Sequence, residues 1–157
     1  MSRALKKSGA YSKSKPETAS GIRPGMLIVP RLLLFVALGV SAYLAWVSFS
    51  HGALAGCGPE SDCDRVLQSR WSRWFGVPVS FFAVLVDALT LWGTFSLGGA
   101  SEVARARGGY AATLGSMLIL GAGLWFVALQ VAAVGICPYC MTAHGAGMIA
   151  AIVLLFA

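Results

Sequence analysis

Between Leu32 and Ser50 the chain runs nineteen residues without a charged side chain. At about 1.5 Å of rise per residue, a helix of that length covers roughly 30 Å, the thickness of a bilayer's hydrocarbon core. The pattern recurs. Tyr110 to Val134 and Cys137 to Ala157 are also uncharged, and Val77 to Leu97 holds a single acid, Asp87. Backbone that crosses lipid has no water to satisfy its N–H and C=O groups, so such runs must be helices that bond within themselves. Four of them predict an all-α membrane protein, a bundle of four transmembrane helices. With 57% apolar and only 11% charged residues, the chain is too apolar for an ordinary soluble domain.

The charges are placed as unevenly as the apolar residues. The formal net charge is +6, and seven of the twelve Lys and Arg fall in the first 31 residues. They are mixed with Ser, Gly and Pro rather than set on an aromatic-bearing face, which argues against nucleic acid as the partner. Residues 1–31 are therefore expected to be a basic, disordered cytoplasmic tail that sets topology or touches lipid headgroups. Residues 32–157 are expected to form the membrane domain. The segment His51 to Gly76 is polar, with Glu60, Asp62, Asp64, Arg65, Arg70 and Arg73 and a Gly58-Pro59 turn signal. A shorter loop, Gly98 to Gly109, carries Glu102, Arg105 and Arg107.

Basic residues near span ends are retained on the cytoplasmic side. The tail and the 98–109 loop hold nine Lys and Arg against three in the 51–76 segment. This predicts a multi-pass protein of the inner (plasma) membrane with a cytoplasmic N-terminus. All four cysteines, Cys57, Cys63, Cys137 and Cys140, then face an oxidising compartment where disulfides persist.

Cys137-Pro138-Tyr139-Cys140 sets two sulfurs one helical turn apart at the start of the fourth span. Pro138 suits a first helical turn, where its missing N–H costs nothing. Unpaired N–H groups and the helix dipole favour a thiolate at the first sulfur, which makes Cys137 the expected nucleophile. Cys140 is expected one turn deeper, facing the bundle. Four sulfurs admit static disulfides, a zinc site, buried thiols or redox exchange. Zinc favours closely spaced ligand pairs, and Cys57-x5-Cys63 is a poor half-site. Exchange needs only that one pair reach the other.

No alternation of strands and helices surrounds the motif, so a thioredoxin-like fold is excluded. Leu54-Ala55-Gly56-Cys57 also has the look of a lipoprotein signal, which would remove the first span. The basic region is too long for that, and the apolar run is too long and ends before His51.

Three further features carry expectations. Asp87 would cost about 2.5 to 3.5 kcal/mol if charged at mid-membrane. It is expected to face the bundle as a hydrogen-bonded structural acid in the cytoplasmic half of the second helix. Trp71, Trp74 and Phe75 precede the second span, as interfacial anchors do. Ala143, Gly147 and Ala151 recur every four residues, the spacing of close helix packing.

Taken together, Cys57, the run Cys63-Asp64-Arg65-Val66-Leu67-Gln68-Ser69-Arg70-Trp71, Phe75-Gly76 and Cys137-Pro138-Tyr139-Cys140 resemble the vitamin K epoxide reductase family, bacterial branch. The resemblance covers about residues 32–157. It implies a four-helix bundle around a quinone pocket, with a loop and half-helix over its exoplasmic end. It further implies that Cys57 and Cys63 form a shuttle pair that takes electrons from a secreted thioredoxin-like partner. Cys63 would pass them to Cys137, and Cys140 would meet the quinone, menaquinone or ubiquinone, without metal or nucleotide.

Ser69 is expected at the pocket by the same resemblance, and Phe75, if it serves as a pocket lid rather than an anchor, is a further candidate for contact with the quinone. His144 stands where vertebrate members carry a Tyr, placed to bond a quinone carbonyl. Polar residues that hold the vitamin K ring in vertebrate members have no clear counterpart, so quinone reduction is expected rather than epoxide reduction. Many bacterial members carry a fused thioredoxin-like domain, and the chain stops at Ala157; the partner is then a separate protein, or the chain is a fragment. The rival readings are a non-catalytic membrane adaptor or lipoprotein, or a disulfide generator of the disulfide-bond protein B type. In the latter the order of the two cysteine pairs is reversed.

Overall fold

The computed structural model describes residues 24–58 and 61–156. A 3-10 turn at Pro24–Leu27 leads into α1 (Ile28–Ser50), and a short α2 (Asp62–Gln68) follows. A hairpin of β1 (Arg73–Trp74) and β2 (Val77–Pro78) then opens α3 (Val79–Ser96). Next comes α4 (Glu102–Leu129), which ends in a π-helical turn, Gln130–Val134, and the last element is α5 (Pro138–Phe156). The four long helices are each long and apolar enough to cross a membrane. The protein is an all-α, four-helix membrane bundle with a half-helix between the first two spans.

The four spans pack in a ring, α1 on α3, α3 on α4, α4 on α5 and α5 back on α1. Without a hydrophobic force between helices in lipid, close backbone approach supplies much of the attraction. The α3–α4 contact shows this directly. A Cβ at Gly93 would lie 2.7 Å from the Ala112 nitrogen, and one at Gly108 would lie 2.8 Å from the Gly93 carbonyl oxygen. Ala143, Gly147 and Ala151, the expected packing stripe of α5, are all buried. A core of Leu34, Leu91, Ile119, Ala150 and Ala151 fills this part of the bundle.

Two helix starts differ from the expectation, each for a local reason. The first helix begins at Ile28 rather than Leu32, because Arg31 finds partners inside the bundle. Its guanidinium donates to the Thr94 carbonyl at 2.6 Å and lies 4.4 Å from the centre of the Phe95 ring. Thr94 is in the last turn of α3, whose free carbonyls favour a cation. Residues 24–31 are thus helical, whereas 1–23, where most of the expected tail falls, lie outside the described residues.

The third span begins at Glu102 rather than Tyr110. Ser101 caps it by accepting from the Ala104 N–H at 3.1 Å, and Glu102 sits in the first turn where an acid suits the dipole. Asp87, read as a hydrogen-bonded structural acid facing the bundle, lies at the middle of the eighteen residues of α3. It is 5% exposed and accepts a hydrogen bond from the Ser41 hydroxyl at 3.2 Å.

Helix lengths create the space for a site. Gly93 of α3 meets Gly108 and Ala112 of α4, and Thr90 meets Gly115, so the two helices run antiparallel from a shared end. By that pairing α4 continues roughly 7 Å past the start of α3 at about 1.5 Å per residue, and the π-helical turn Gln130–Val134 extends it further. Residues 71–78 fill the place α3 leaves vacant. Trp71 lies edge-to-face with Trp125 at 6.1 Å, and Trp74 meets Phe126 at 6.3 Å. The Arg73 guanidinium ties this hairpin to the Ser48 carbonyl at 3.1 Å.

Candidate functional site

The end of α4 decides where the first sulfur of the Cys137 motif sits. The π-helical turn puts Gln130 inside the protein, 4% exposed, and its side-chain oxygen accepts the Cys137 N–H at 3.0 Å. Gly135 then turns the chain with a φ of +115°, a conformation open to glycine. The Asp62 side chain of α2 packs so close that a Cβ at Gly135 would lie 2.8 Å from it. Met141 donates to the Cys137 carbonyl at 2.9 Å, so Cys137 is the residue that opens α5.

Cys137 is 0% exposed and Cys140 is half-buried one turn on; both are free thiols. The Cys137 thiol is lowered from an ordinary 9.0 to about 6. The main cause is the hydrogen bond from the Cys140 thiol, opposed by burial and aided by the backbone N–H groups of Cys140 and Tyr139. An N-terminal helical position with free N–H groups gives the same direction on general grounds. The direction favours a thiolate at Cys137, with the Cys140 thiol placed to donate to it.

Cys57 and Cys63 are joined as a disulfide, with Cα atoms 6.4 Å apart. Ser61 caps α2 by accepting from the Asp64 N–H at 3.4 Å, which sets Cys63 in the first turn, 4% exposed. Cys63 and Cys137 belong to one buried cluster with Leu44, Val47 and Leu54, and Cys57, Tyr139 and Cys140 pack against it. Residues far apart in the chain thus bring an oxidised sulfur pair and a reduced one into a single apolar nest. That arrangement suits thiol–disulfide exchange, in which a thiolate attacks a disulfide sulfur within reach.

Beneath the nest lies a small cleft of about 80 Å³, with Cys140, His144 and Ser69 on its wall. A larger hollow of about 680 Å³ adjoins it, sharing Ser41, Trp71, Phe126 and His144, and reaches Asp87. The His144 ring is parallel to that of Phe126, 3° apart in plane with centroids 5.7 Å apart. Ser69 ends α2, and its hydroxyl donates to the Val66 carbonyl at 2.8 Å. Apolar walls with a few polar groups, in a hollow of the size of the larger one, are the usual form of a site for a small organic molecule.

The structure gathers most of the expected site residues and leaves one out. Cys57, Cys63, Cys137 and Cys140 share the nest, and Cys140, Ser69 and His144 share the cleft. Phe75 lines neither hollow and is 102% exposed. The two-residue turn between β1 and β2 needs a positive φ at both Phe75 and Gly76, and this aims the Phe75 ring outward. Trp71 and Trp74, read as interfacial anchors with a pocket lid as the alternative, line the larger hollow.

Sequence reasoning missed Gln130, Tyr43 and Phe126. Gln130 left a signal, since an amide inside an otherwise apolar span needs a partner. Among the described residues no cluster of three or more His, Cys, Asp or Glu is arranged to hold a metal ion.

Four membrane-crossing helices, with two cysteine pairs in one apolar nest above a hollow, define a membrane thiol–disulfide oxidoreductase. Residues 29–155 match the family described as Vitamin K epoxide reductase family, and the chain belongs to it. No curated protein matches the chain.

Proposed function

We propose that the protein carries two electrons at a time from a secreted dithiol, a separate thioredoxin-like protein, to a membrane quinone, and so supports disulfide formation. The observation that carries this reading is the burial of Cys63 and Cys137 in one cluster, with Cys140 on the wall of the cleft below. The donor dithiol reduces the Cys57–Cys63 disulfide and leaves oxidised. The Cys63 thiolate then attacks Cys137 of an oxidised Cys137–Cys140 pair. A Cys63–Cys137 bond forms, Cys140 leaves as a thiolate, and Cys57 resolves the mixed bond by attacking Cys63. Two electrons have then moved from the loop to the helix.

The state that follows this transfer has the loop pair oxidised and the helical pair reduced. The lining of the cleft and of the larger hollow beside it supports a quinone ring as the acceptor. The walls are largely apolar, Trp71 and Phe126 offer flat faces, and Ser69 and His144 are polar groups placed among them. The quinone, menaquinone or ubiquinone, supplies the two-electron acceptor chemistry, while the chain positions its sulfurs and excludes water. Quinol and a helical disulfide balance quinone and a helical dithiol, with two protons passing to the ring oxygens.

The concentration of basic residues in the first 31 positions and around Arg105 and Arg107 supports a cytoplasmic N-terminus in an inner (plasma) membrane. Both sulfur pairs lie at the end of the bundle formed by the last turn of α1 and the first turn of α5, which that topology sets on the exoplasmic side. The test is quinol formation by purified protein given a reduced dithiol partner and a soluble quinone analogue. Turnover is expected, with Cys140→Ala and Cys63→Ala each reducing it at least a thousandfold. Turnover that persists in both variants would refute the reading.

A further inference from the structure

The segment that leads from α1 to Cys57 has little regular structure, yet one residue in it is held from both sides. Ala55 is exposed, and water would satisfy its backbone N–H and C=O groups at almost no cost. Both groups are nonetheless taken by phenol oxygens. The Ala55 N–H donates to the Tyr43 hydroxyl oxygen at 3.1 Å, and the Tyr139 hydroxyl donates to the Ala55 carbonyl at 2.7 Å. The rings themselves meet at 5.7 Å. Tyr43 comes from α1 and Tyr139 from the first turn of α5, so two different helices converge on one alanine.

The position of that alanine gives the contact its meaning. Ala55 lies two residues before Cys57, which is bonded to Cys63. Tyr139 lies between Cys137 and Cys140, on the turn that presents the attacked sulfur. A neighbouring bond, from the Cys57 N–H to the Leu54 carbonyl at 3.1 Å, links the held segment to the first loop sulfur, while Leu54 is buried in the nest. Exchange between sulfurs demands that attacking and leaving atoms be aligned, and small displacements of a reacting group are costly in rate.

We infer that Tyr43 and Tyr139 are positioning residues: a two-hydroxyl latch that holds the Cys57–Cys63 loop in register over Cys137. Latched, the loop favours exchange with the helical pair. Released, the loop disulfide is open to an external dithiol. This rests on the exchange proposed above and adds what keeps the two partners of that exchange aligned.

The hydroxyls can be removed without the rings by Tyr43→Phe and Tyr139→Phe, singly and together. In a Cys140→Ala background, the Cys137 thiolate attacks Cys63 of the loop disulfide, Cys57 leaves as a thiolate, and the trapped Cys63–Cys137 disulfide can be counted by mass after the freed Cys57 thiol is blocked. In the four-cysteine protein, dithiothreitol reduces the loop disulfide at a rate read by maleimide labelling. Each lost hydroxyl is expected to lower the trapped fraction about fivefold, the effect of one net hydrogen bond. The reduction rate should rise by a similar factor.

Opposite movement of the two readouts is the signature of a latch. A parallel fall in both would overturn it, and so would the opposite movement if it came with a matching drop in the melting temperature, because general loosening of the fold also exposes the loop disulfide. So would trapping in the double variant equal to that of Cys140→Ala alone. If Cys140→Ala itself traps nothing, the exchange fails and the latch falls with it.

Discussion

The two ends of the bundle are built by different means. At the end where α3 finishes and α4 starts, the helices touch backbone to backbone through Gly93 and Gly108, and Arg31 clasps the last turn of α3. At the cysteine end α4 outruns α3, and the gap is bridged by side chains from the connecting segments. Trp71 and Trp74 stand where helix would otherwise be, and Gln130, Tyr43 and Tyr139 hold backbone groups by single hydrogen bonds. Tight packing at one end is what lets the other stay hollow. Rigid helix contacts cannot rearrange cheaply, whereas a loop held by a few hydrogen bonds can shift with the redox state of its sulfurs.

That contrast can be broken most severely at the closed end. Gly108→Leu would place a side chain where the Cβ alone lies 2.7 Å from the Ser96 Cβ and 2.8 Å from the Gly93 carbonyl oxygen. The backbones must part, and overpacking of this kind costs about 1 to 3 kcal/mol or more. Thermal unfolding in detergent should show a clear loss of stability together with loss of activity. Unchanged melting would mean that the helices are not held there.

A smaller effect is expected at the open end. Gln130→Ala removes the acceptor of the buried Cys137 N–H, at a cost of about 1 to 3 kcal/mol for an unsatisfied buried donor. Because the group lies at the reactive turn, exchange should slow about tenfold, a change visible in single-turnover kinetics, while the fold survives. Equal loss at Gly108→Leu and Gln130→Ala would erase the distinction between the ends.

The Cys137 thiol sharpens the comparison further, being the titrating sulfur at the open end. With its pKa drawn from 9.0 to about 6, alkylation in a Cys140-containing, reduced protein should rise with pH around a midpoint near 6. The sign for stability follows from linkage. A pKa depressed on folding gives stabilisation that is complete above the unfolded value near 9 and is lost as pH falls through about 6. An alkylation midpoint near 9 would contradict the site described. The smallest effect belongs to Phe75→Ala. The ring is fully exposed at the hairpin tip, so KM for a soluble quinone analogue should change less than about twofold, the range of a surface substitution.

Much of this molecule is legible in the one-dimensional pattern. The uncharged runs give the four spans, because a bilayer imposes one length on any helix that crosses it. Their ends are less legible, since Arg31 and Glu102 are charges that tertiary contacts and caps accommodate in helix. The motif gives a reactive Cys137 and a deeper Cys140, because residues three apart in a helix share a face. Phe75 reads as a pocket residue only while its neighbours are unknown; the left-handed turn it shares with Gly76 sends the ring away. Tyr139 reads as a spacer between two sulfurs, and nothing in the chain joins it to Ala55.

The limits of each level have one physical cause. Hydropathy and helical spacing act over a few residues, so the chain's order of apolar and polar side chains fixes that it crosses a membrane four times and carries a helix-borne dithiol. Contacts between distant segments depend on how whole helices pack. The overhang of α4 past α3, the hollow it leaves, and the meeting of Cys63 with Cys137 in one nest came only with the packed bundle, because each requires several helices to be in place at once.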